Sequence, residues 1–587
     1  MPEKHYITVI LPLRLEWEPL YACDCPVKIG DRISVLFSNK KLIGVVSCTD
    51  VVPQIGQNQI HDVLDANTGL DPISEKELQF WRFVSDYYMC TVGEVYKAAY
   101  PIGRVTSEEM GAKAKERRAV LENKAIELWK QRINRLRTRY QAKEDALRKP
   151  HGDAVRSRLE AEKKGILTQI VEAEKKLAGI TPLKAFPDSD LSDIVNSLED
   201  FPLNAELQHA VLSKKTVLYK SSNGIKGCLA LISEQLKKGY SVFVLANELS
   251  QTLSTYNELR RYFGDLSLLF HSRQTRTEQR GISERIRAGR QYVLIGSRSS
   301  IFLPHHDLGL ILVINEESVF YKQSDSNPRY NARDCAVQLS KIHHCPVVLH
   351  SVSPSLESLY NYKSGRYVLV NETGSRALQT LNVIDMASER KKNGIEGVLS
   401  NKLVSALNKQ PDARIAIIRG FEKEEDFSID ADIFTIPQAS TQDFTGYDLI
   451  ALTSADALFD KGDFRSDEHA FQFLERLCRT CPNVIVQTYQ AANQVFSMNS
   501  ADDLLEERKT FGLPPYTRLV DIRTLRCEPL SPVLASLGFT CFAGDGYVRV
   551  SLQRDKSLSS KKRLLLEIIN RKKKNGFRDI SVDVDPI

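Results

Sequence analysis

Residues Val293 to Arg333 read VLIGSRSSIFLPHHDLGLILVINEESVFYKQSDSNPRYNAR. The segment contains two apolar runs, VLIG and LGLILVI, which have the length and composition of buried parallel strands and are too short to span a membrane. In an α/β nucleoside triphosphatase a strand like the second one ends in acidic residues, because one carboxylate holds Mg²⁺ and the next orients the attacking water. Here the strand ends in Ile314, Asn315, Glu316 and Glu317. The segment predicts the fold of an α/β nucleoside triphosphatase with altered residues at the catalytic positions.

Four motifs of this segment resemble the core of a known family. They are GSRSSIFLPH from Gly296, LGLILV from Leu308, YKQ from Tyr321 and PRYNAR from Pro328. Together they are similar to the corresponding motifs of the bacterial primosomal replication-restart DNA helicases, the primosomal protein N′ family. The resemblance implies an α/β fold with two RecA-like helicase lobes, a β-rich N-terminal DNA-binding domain and an α+β C-terminal domain.

The same resemblance implies that the catalytic residues have changed. Its ungapped register puts Ile314 at the family's Mg²⁺-binding aspartate, Asn315 at its catalytic glutamate and Glu317 at its histidine. Only Glu316 matches. We therefore predict no catalytic residues in this chain, and we expect no cofactor unless ATP and Mg²⁺ still bind at altered motifs.

Composition sets broad limits on the class of protein. The 587 residues suffice for three or four domains, and a formal net charge of +6 is compatible with a polyanionic partner without identifying one. The N-terminus has no apolar run of signal-peptide length, and no long uncharged apolar segment follows, so we predict a cytoplasmic protein without membrane contact. The eleven cysteines are scattered as reduced thiols are, and the CxxC at Cys478 and Cys481 has no second pair, so no metal site is predicted.

Residues 1–103 predict a β-rich domain followed by a helix. ISVLF, the turn SNKK and LIGVVS form a predicted hairpin whose basic tip carries Lys40 and Lys41. The unit resembles the family's 3′-end DNA-binding domain, in which an acidic residue before a tyrosine is implied to bind a terminal sugar hydroxyl. This chain has Leu20 before Tyr21. Both a packing role and a base-stacking role are open for Tyr21.

Residues 112–178 predict an antiparallel coiled-coil hairpin, and here the resemblance stops. Apolar residues follow heptad spacing on both arms, and RKPHGD separates the two. At ~1.5 Å per residue such a hairpin would project on the order of 40 Å. We predict that it contacts replication or repair proteins. The apolar positions are Ile126, Trp129, Ile133, Leu136 and Tyr140 on the first arm and Leu159, Ile166, Ile170, Ala173 and Leu177 on the second.

Residues 203–372 predict the first helicase lobe, in which the phosphate loop should follow TVLY. A phosphate loop needs G-x-x-x-x-G-K-[ST], because glycines let backbone N–H groups reach the phosphates and the hydroxyl binds Mg²⁺. The chain has KSSNGIKG, in which Lys220 and Ile225 replace the glycines and Gly227 replaces the hydroxyl residue. Lys226 alone is retained, and it is equally typical of an ordinary surface charge.

Residues 411–491 predict the second lobe, and residues 501–587 predict the C-terminal α+β domain. The resemblance implies that the family's zinc-binding insertion is missing. It also implies that Thr480 and Asn483 occupy the positions of the arginines that would reach the γ-phosphate.

The leading hypothesis is a primosomal-type, helicase-like scaffold that binds forked or single-stranded DNA and has lost ATP hydrolysis. One alternative is an active ATP-dependent 3′ to 5′ DNA helicase, and another is a protein-interaction adaptor that uses the coiled-coil arm. Lys226 and Glu316 are the predicted remnants of a nucleotide site. The predicted DNA-binding residues are Tyr21, Lys40, Lys41, Arg298, Lys322, Arg329 and Arg333.

Overall fold

The computed structural model describes most of the chain outside residues 101–200. The described residues are 5–53, 60–100, 201–372 except 203, 381–422 except 394, 397 and 410–412, 431–498 except 441, 443 and 460–462, 500–524, 530–574 and 580–586, with separate helical positions between 131 and 166. The chain divides into two compact units. The first contains Met1–Tyr100, Asp193–Leu269 and Gln291–Ile587, and the second contains Pro101–Ser192 and Phe270–Arg290.

The N-terminal domain is a five-stranded sheet followed by two helices. The sheet order is β3-β4-β1-β2-β5, and β3 and β4 form the predicted hairpin, with Phe37 opposite Lys40. Ser38 and Asn39 link them with φ of 47° and 60°, the left-handed pair that a two-residue hairpin turn requires. The elements are β1 His5–Ile10, β2 Leu20–Cys23, β3 Arg32–Phe37, β4 Lys40–Cys48, β5 His61–Asp62, α1 Glu75–Tyr88 and α2 Val92–Ala99.

The next domain is a seven-stranded sheet of order β12-β6-β11-β10-β7-β9-β8. The central strand β10 pairs in parallel with β7 and β11, and all seven of its residues are buried, which explains its continuous apolar sequence. The elements are α3 Ala205–Leu212, β6 Thr216–Lys220, α4 Leu229–Lys237, β7 Ser241–Leu245, α5 Leu249–Phe263, β8 Ser267–Phe270, α6 Arg276–Arg287, β9 Val293–Gly296, β10 Leu308–Ile314, α7 Ala332–His343, β11 Val347–Ser351, α8 Leu356–Lys363 and β12 Tyr367–Asn371.

A second parallel sheet, of order β13-β19-β18-β16-β17, forms the second lobe. Alternate residues of its strands face two cores: Ile418 and Leu452 pack in one, and Ile417 and Ala451 in the other. Its first strand precedes residue 411, where the sequence predicts the lobe to begin. The elements are β13 Leu381–Asp385, α9 Met386–Lys392, β14 Ile395–Glu396, β15 Leu399–Ser400, α10 Asn401–Asn408, β16 Ile415–Arg419, β17 Asp432–Thr435, α11 Ile436–Ala439, β18 Leu449–Leu452, α12 Ser466–Thr480 and β19 Val484–Thr488.

The C-terminal domain has an antiparallel sheet of order β21-β22-β20-β23. The helix before it packs Leu504 and Leu505 into a core of the second lobe. The elements are α13 Asp502–Thr510, β20 Thr517–Arg523, α14 Ser531–Ser536, β21 Thr540–Gly544, β22 Tyr547–Gln553, α15 Leu558–Lys574 and β23 Ser581–Val584. The predicted fold class, two RecA-like lobes with a β-rich N-terminal domain and an α+β C-terminal domain, is confirmed.

The second unit contains helix α6 and the predicted hairpin 112–178, most of which lies outside the described residues. Among its described positions, Leu136 and Ile166 are buried, and the Lys163 Nζ lies 5.0 Å from the centroid of the Tyr140 ring. Within the described part of the chain, no helix is both long enough and apolar enough to cross a membrane.

A buried ion pair joins the first lobe to the C-terminal sheet. Lys322 Nζ lies 2.8 Å from Asp583 Oδ1 on β23, and both side chains are 2% exposed. The Lys322 Nζ also donates to the backbone oxygens of Arg329 and Val584, and Arg329 Nη1 lies 3.3 Å from the same carboxylate. Asp583 is the counter-charge for a lysine that has no access to water.

We expect Asp583→Ala to destabilise the protein strongly, because removing one partner of a buried ion pair leaves an uncompensated charge, at a cost of roughly 3–5 kcal/mol. Asp502→Ala is the matched control: its carboxylate pairs with Lys363 at 2.7 Å, and the two side chains are 60% and 47% exposed. Loss of that exposed pair should cost less than about 1 kcal/mol. Urea denaturation measures both, and equal effects would contradict the role given to Asp583.

Candidate functional site

The loop after β6 occupies the place of the predicted phosphate loop. It passes through Ser221 and Asn223 into a short 3₁₀ helix, Gly224–Cys228, before α4 begins at Leu229. Lys226 is 69% exposed, and its Nζ lies 3.9 Å from Glu258 Oε1. The retained lysine thus has a surface glutamate as its neighbour, which is the ordinary contact of an exposed charge.

The carboxylate of Glu372, an exposed residue, takes up the polar groups of this loop. Glu372, which follows β12, accepts hydrogen bonds from Tyr219 Oη at 2.5 Å, Ser221 Oγ at 2.9 Å and Asn223 Nδ2 at 3.2 Å, and from the Asn204 amide. Burial alone would raise the pKa of the Glu372 carboxyl, but these hydrogen bonds outweigh it and lower the pKa. The loop therefore already holds an anion supplied by its own chain.

The geometry also explains why a glycine replaces the Mg²⁺-binding hydroxyl residue. A Cβ atom on Gly227 would lie 2.3 Å from Tyr219 Oη and 3.1 Å from two carbons of its ring. A serine or threonine cannot fit there while Tyr219 holds Glu372. The Tyr219 side chain and the absence of a side chain at position 227 are thus linked by steric exclusion.

At the end of β10, Glu316 is a buried structural residue. It is 1% exposed, and its two carboxylate oxygens accept from the Ser355 backbone N–H at 2.7 Å, the Ser355 hydroxyl at 2.9 Å and the Ser358 hydroxyl at 2.9 Å. Arg333 Nη1 donates to the same carboxylate at 3.1 Å. Every contact of this predicted nucleotide-site residue serves to join α7 and α8 to the central strand.

The residues on either side of Glu316 do not make a catalytic pair. Asn315 adopts a left-handed φ of 53°, and its amide donates to Gln251 Oε1 at 3.0 Å. Burial raises the pKa of the Glu317 carboxyl to about 7, and the charge of Glu316 adds to that rise. Since Ile314 carries no polar atom, the described residues at the end of β10 offer Mg²⁺ no aspartate where the family has one.

A second carboxylate closes the contact between the lobes. Glu475 on α12 lies 2.8 Å from Lys220 Nζ of the first lobe and 2.6 Å from Arg479 Nη2, and it accepts from the Ser353 hydroxyl. Burial would raise the pKa of Glu475, but the nearby Lys220 charge lowers it. The lysine that replaces the first loop glycine is therefore neutralised by a carboxylate of the other lobe.

The two positions aligned with the family's arginines have local structural roles. The Thr480 hydroxyl donates to the Arg476 carbonyl at 3.0 Å, and the Asn483 amide donates to the Asp448 carbonyl at 3.0 Å. Neither side chain carries a charge that could stabilise a transferred phosphoryl group. ATP and Mg²⁺ therefore do not fit the residues present at this cleft.

The structure separates the predicted DNA-binding residues into exposed and buried groups. Lys40 and Lys41 are exposed at the hairpin, as expected. Tyr21 is 2% exposed, and its hydroxyl donates to the Leu36 carbonyl at 3.0 Å, so it packs within the N-terminal core. Burial raises the pKa of the Tyr21 hydroxyl. In this structure Tyr21 has no ring face free for a base.

The four predicted residues of the first lobe make contacts inside the protein. Lys322 and Arg333 are buried by the contacts described above, and Arg329 is 11% exposed beside Asp583. Arg298 is partly exposed, and its Nη1 donates to the Lys322 carbonyl at 2.6 Å. These charges make internal contacts because apolar strands and ion-paired partners surround them. DNA phosphate could reach Lys322 or Arg333 only if those partners were displaced.

A residue that the sequence analysis passed over lies beside the basic hairpin. Trp17 is 59% exposed, and its ring centroid is 6.3 Å from that of Phe37, with an interplanar angle of 53°. Phe37 is directly opposite Lys40 across the hairpin. The available signal was the lone tryptophan in the acidic turn LEWEP, where no core position is expected. Trp17, Phe37, Lys40 and Lys41 form what we call the hairpin surface.

Comparisons with known proteins agree with this geometry. The family described as the 3′ DNA-binding domain (3′BD) of PriA matches residues 8–101. Replication restart protein PriA of Chlamydia pneumoniae is 28% identical over 421 residues, which cover 64% of this chain and 52% of that protein. The PriA of Haemophilus influenzae is 26% identical over 425 residues, covering 69% and 57%. The chain thus spans about half the length of the relatives it matches.

Among solved structures, the helicase MrfA bound to DNA and AMPPNP is similar with a TM-score of 0.36 and 10% identity over 65% of this chain and 63% of that one. The sequence relatives and the family match at the N-terminal domain carry this similarity. The chain is similar to the replication restart protein PriA in its N-terminal domain and over about two thirds of its length.

Proposed function

We propose that this chain is a helicase-like scaffold that holds forked or single-stranded DNA without hydrolysing ATP. The observation that carries the proposal is a pair of carboxylates of the chain itself: Glu372 accepts from the donors of the phosphate loop, and Glu475 neutralises Lys220 at the contact between the lobes. In a protein with these contacts, the two lobes serve as a rigid support for binding. Its remaining work is binding.

The hairpin surface supports DNA as the ligand. Proteins that bind single strands combine cations that follow the backbone with exposed aromatic rings on which bases stack. Lys40 and Lys41 supply the first, and the exposed Trp17 beside Phe37 supplies the second. Such stacking is tolerant of sequence because every base has an aromatic face. This surface therefore suits unpaired DNA better than a defined sequence.

An active 3′ to 5′ DNA helicase is the second candidate, and its support is the resemblance of the sequence motifs to those of the primosomal DNA helicases. Such a helicase would need to break the hydrogen bonds between the phosphate loop and Glu372. It would also need to break the ion pair between Lys220 and Glu475 at the lobe contact. A protein-interaction adaptor built on residues 112–178 is the third candidate, and its segment lies largely outside the described residues. Replication or repair proteins as partners of that segment belong to this third candidate.

The first expected outcome concerns the hairpin surface. Lys40→Ala with Lys41→Ala should reduce the slope of log affinity against log salt by about two units, because each lost phosphate contact removes about one. Trp17→Ala should weaken binding of single-stranded DNA by about 1–3 kcal/mol through lost stacking. Fluorescence anisotropy with a labelled oligonucleotide measures both.

The matched control for Trp17 is Ile29→Ala, an apolar side chain of the same domain that is 54% exposed and has no aromatic ring. It should leave affinity unchanged. If wild-type affinity is absent at low salt, or does not fall as salt rises, the DNA-binding proposal is wrong. If Trp17→Ala and Ile29→Ala behave alike, the stacking role of Trp17 is refuted.

The second expected outcome is that the wild-type protein does not turn over ATP, with or without DNA. Loss of one preorganised stabilising group commonly costs a factor of about 10²–10³ in rate, and loss of an arginine finger about 10³ or more. Gly227, Ile314 and Asn315 each lack the group that the reaction requires. A DNA-stimulated phosphate-release assay tests this, with Lys226→Ala as the control. Turnover that vanishes in Lys226→Ala would establish the helicase instead.

The third expected outcome concerns pH. The pKa of Glu317 is raised to about 7 in the folded protein, above its ordinary value of about 4.3, so the folded state binds this proton more tightly than the unfolded chain. The stability that the protonated Glu317 carboxyl contributes to the folded state is complete below about pH 4.3. It is lost as pH rises through about 7. Glu317→Gln cannot titrate, so its free energy of unfolding should rise relative to wild type between pH 5 and pH 8.

Urea denaturation at several pH values between 5 and 8 measures this difference. The exposed Glu206→Gln variant is the matched control and should follow the wild-type pH dependence. Parallel pH profiles for wild type and Glu317→Gln would show that the Glu317 carboxyl does not hold its proton as inferred.

A further inference from the structure

The edge of the seven-stranded sheet at which its parallel strands begin carries repeated basic residues. Five neighbouring strands, β12, β6, β11, β10 and β7, begin side by side along this edge. At about 4.8 Å between strands, the five starting points span about 19 Å. The basic residues in or next to the segments that lead into these strands are Arg366 and Lys363 for β12, Lys214 and Lys215 for β6, Lys341 and His344 for β11, His306 for β10, and Lys237 and Lys238 for β7.

Acidic residues neutralise only part of this charge. Lys363 pairs with Asp502 at 2.7 Å and Lys238 with Glu234 at 2.5 Å, while His306 lies 3.1 Å from Asp307. Lys214, Lys341 and Arg366 are exposed, and none of them forms an ion pair with a carboxylate of the described residues. A positive surface therefore remains around β6, β11 and β12.

Short contacts hold this edge in a fixed arrangement. The Lys215 Nζ donates to the Gly365 carbonyl at 3.1 Å, which joins the starts of β6 and β12. Arg366 donates to Asn361 Oδ1 at 3.1 Å, and its guanidinium lies 5.4 Å from the centre of the Tyr360 ring. Because they are already held, Lys215 and Arg366 lose little side-chain freedom when a ligand binds. We call Lys214, Lys215, Lys341 and Arg366 the strand-start surface.

We propose that the strand-start surface binds the phosphate backbone of duplex DNA. Duplex DNA carries one charge per about 1.7 Å of helix axis, twice the density of one of its strands, so a row of exposed cations favours it electrostatically. Cations dominate this surface, which is suited to backbone contact rather than to base stacking. The inference rests on the proposed DNA-binding function and adds to it a second surface with a different preference.

The two surfaces then divide a forked substrate between them. The hairpin surface offers an aromatic pair for unpaired bases, and the strand-start surface offers charge for a paired arm. Neither needs ATP. The same cations also line part of a cavity of about 840 Å³, which is the size of a small-ligand site and too narrow for a duplex. Duplex DNA would therefore lie across the edge and not enter the cavity.

The test uses the full chain with Lys214→Gln, Lys341→Gln and Arg366→Gln combined. The probes are a labelled blunt-ended duplex and labelled oligo-dT, each titrated at several salt concentrations. The expected result is a reduction of the salt slope for the duplex by about 0.9 per lost contact, or about three units in all, with oligo-dT affinity retained. The charge-matched control is Arg390→Gln, Lys391→Gln and Lys392→Gln on α9, three exposed residues of the other lobe, which should leave the slope unchanged.

The outcomes separate this inference from the proposed function. If the wild-type chain binds neither probe, the proposed function fails and the inference with it. If the wild-type chain binds both probes and the triple variant matches the α9 control, the inference is overturned while the proposed function stands. If oligo-dT loses affinity as much as the duplex does, the assignment to duplex DNA is wrong. The double variant Lys214→Gln with Lys341→Gln, which keeps the Arg366 contacts, gives the same readout with a loss of about two units should the triple variant unfold.

Discussion

The carboxylate of Glu316 is the interaction on which the first lobe depends. It lies at the end of the central strand with 1% exposure and satisfies a backbone N–H, two serine hydroxyls and the Arg333 guanidinium. A buried carboxylate with that many donors is costly to remove, since each donor would be left without a partner. This explains why Glu316 alone matches the family while Ile314 and Asn315 beside it do not. The residue is retained for the fold, so its presence says nothing about catalysis.

The replacements of family residues at the nucleotide cleft are physically coupled. A single replacement is therefore hard to reverse. Tyr219 donates to Glu372, and the volume of its ring excludes any Cβ at position 227. Lys220 in place of a glycine puts a charge at the lobe contact, and Glu475 compensates it. Restoring one family residue would therefore create a clash or an unpaired charge. In this cleft the carboxylates of Glu372 and Glu475 make the contacts that the phosphates of a nucleotide would make in a helicase.

Much of the fold could be predicted from the sequence, but much of the site could not. Continuous apolar runs such as Leu308–Ile314 identify buried parallel strands because every face of the strand is covered. Burial of a charged side chain depends on partners distant in sequence: Lys322 pairs with Asp583, 261 positions later. Tyr21 and Arg333 were assigned to DNA from local motifs for the same reason, and the structure gives them internal partners. Trp17 was missed because an isolated aromatic carries no periodic signal.

The proposed scaffold function lacks one requirement of a motor and keeps another. A helicase must let its lobes separate and close with each nucleotide, so the contact between them has to be weak without ligand. The Lys220–Glu475–Arg479 cluster is internal and independent of any ligand, with side chains between 6% and 18% exposed. Separating the lobes would break the Lys220–Glu475 ion pair, and this loss opposes the separation. Under the proposed function, binding depends on the surface, where the hairpin and the strand starts place their exposed cations.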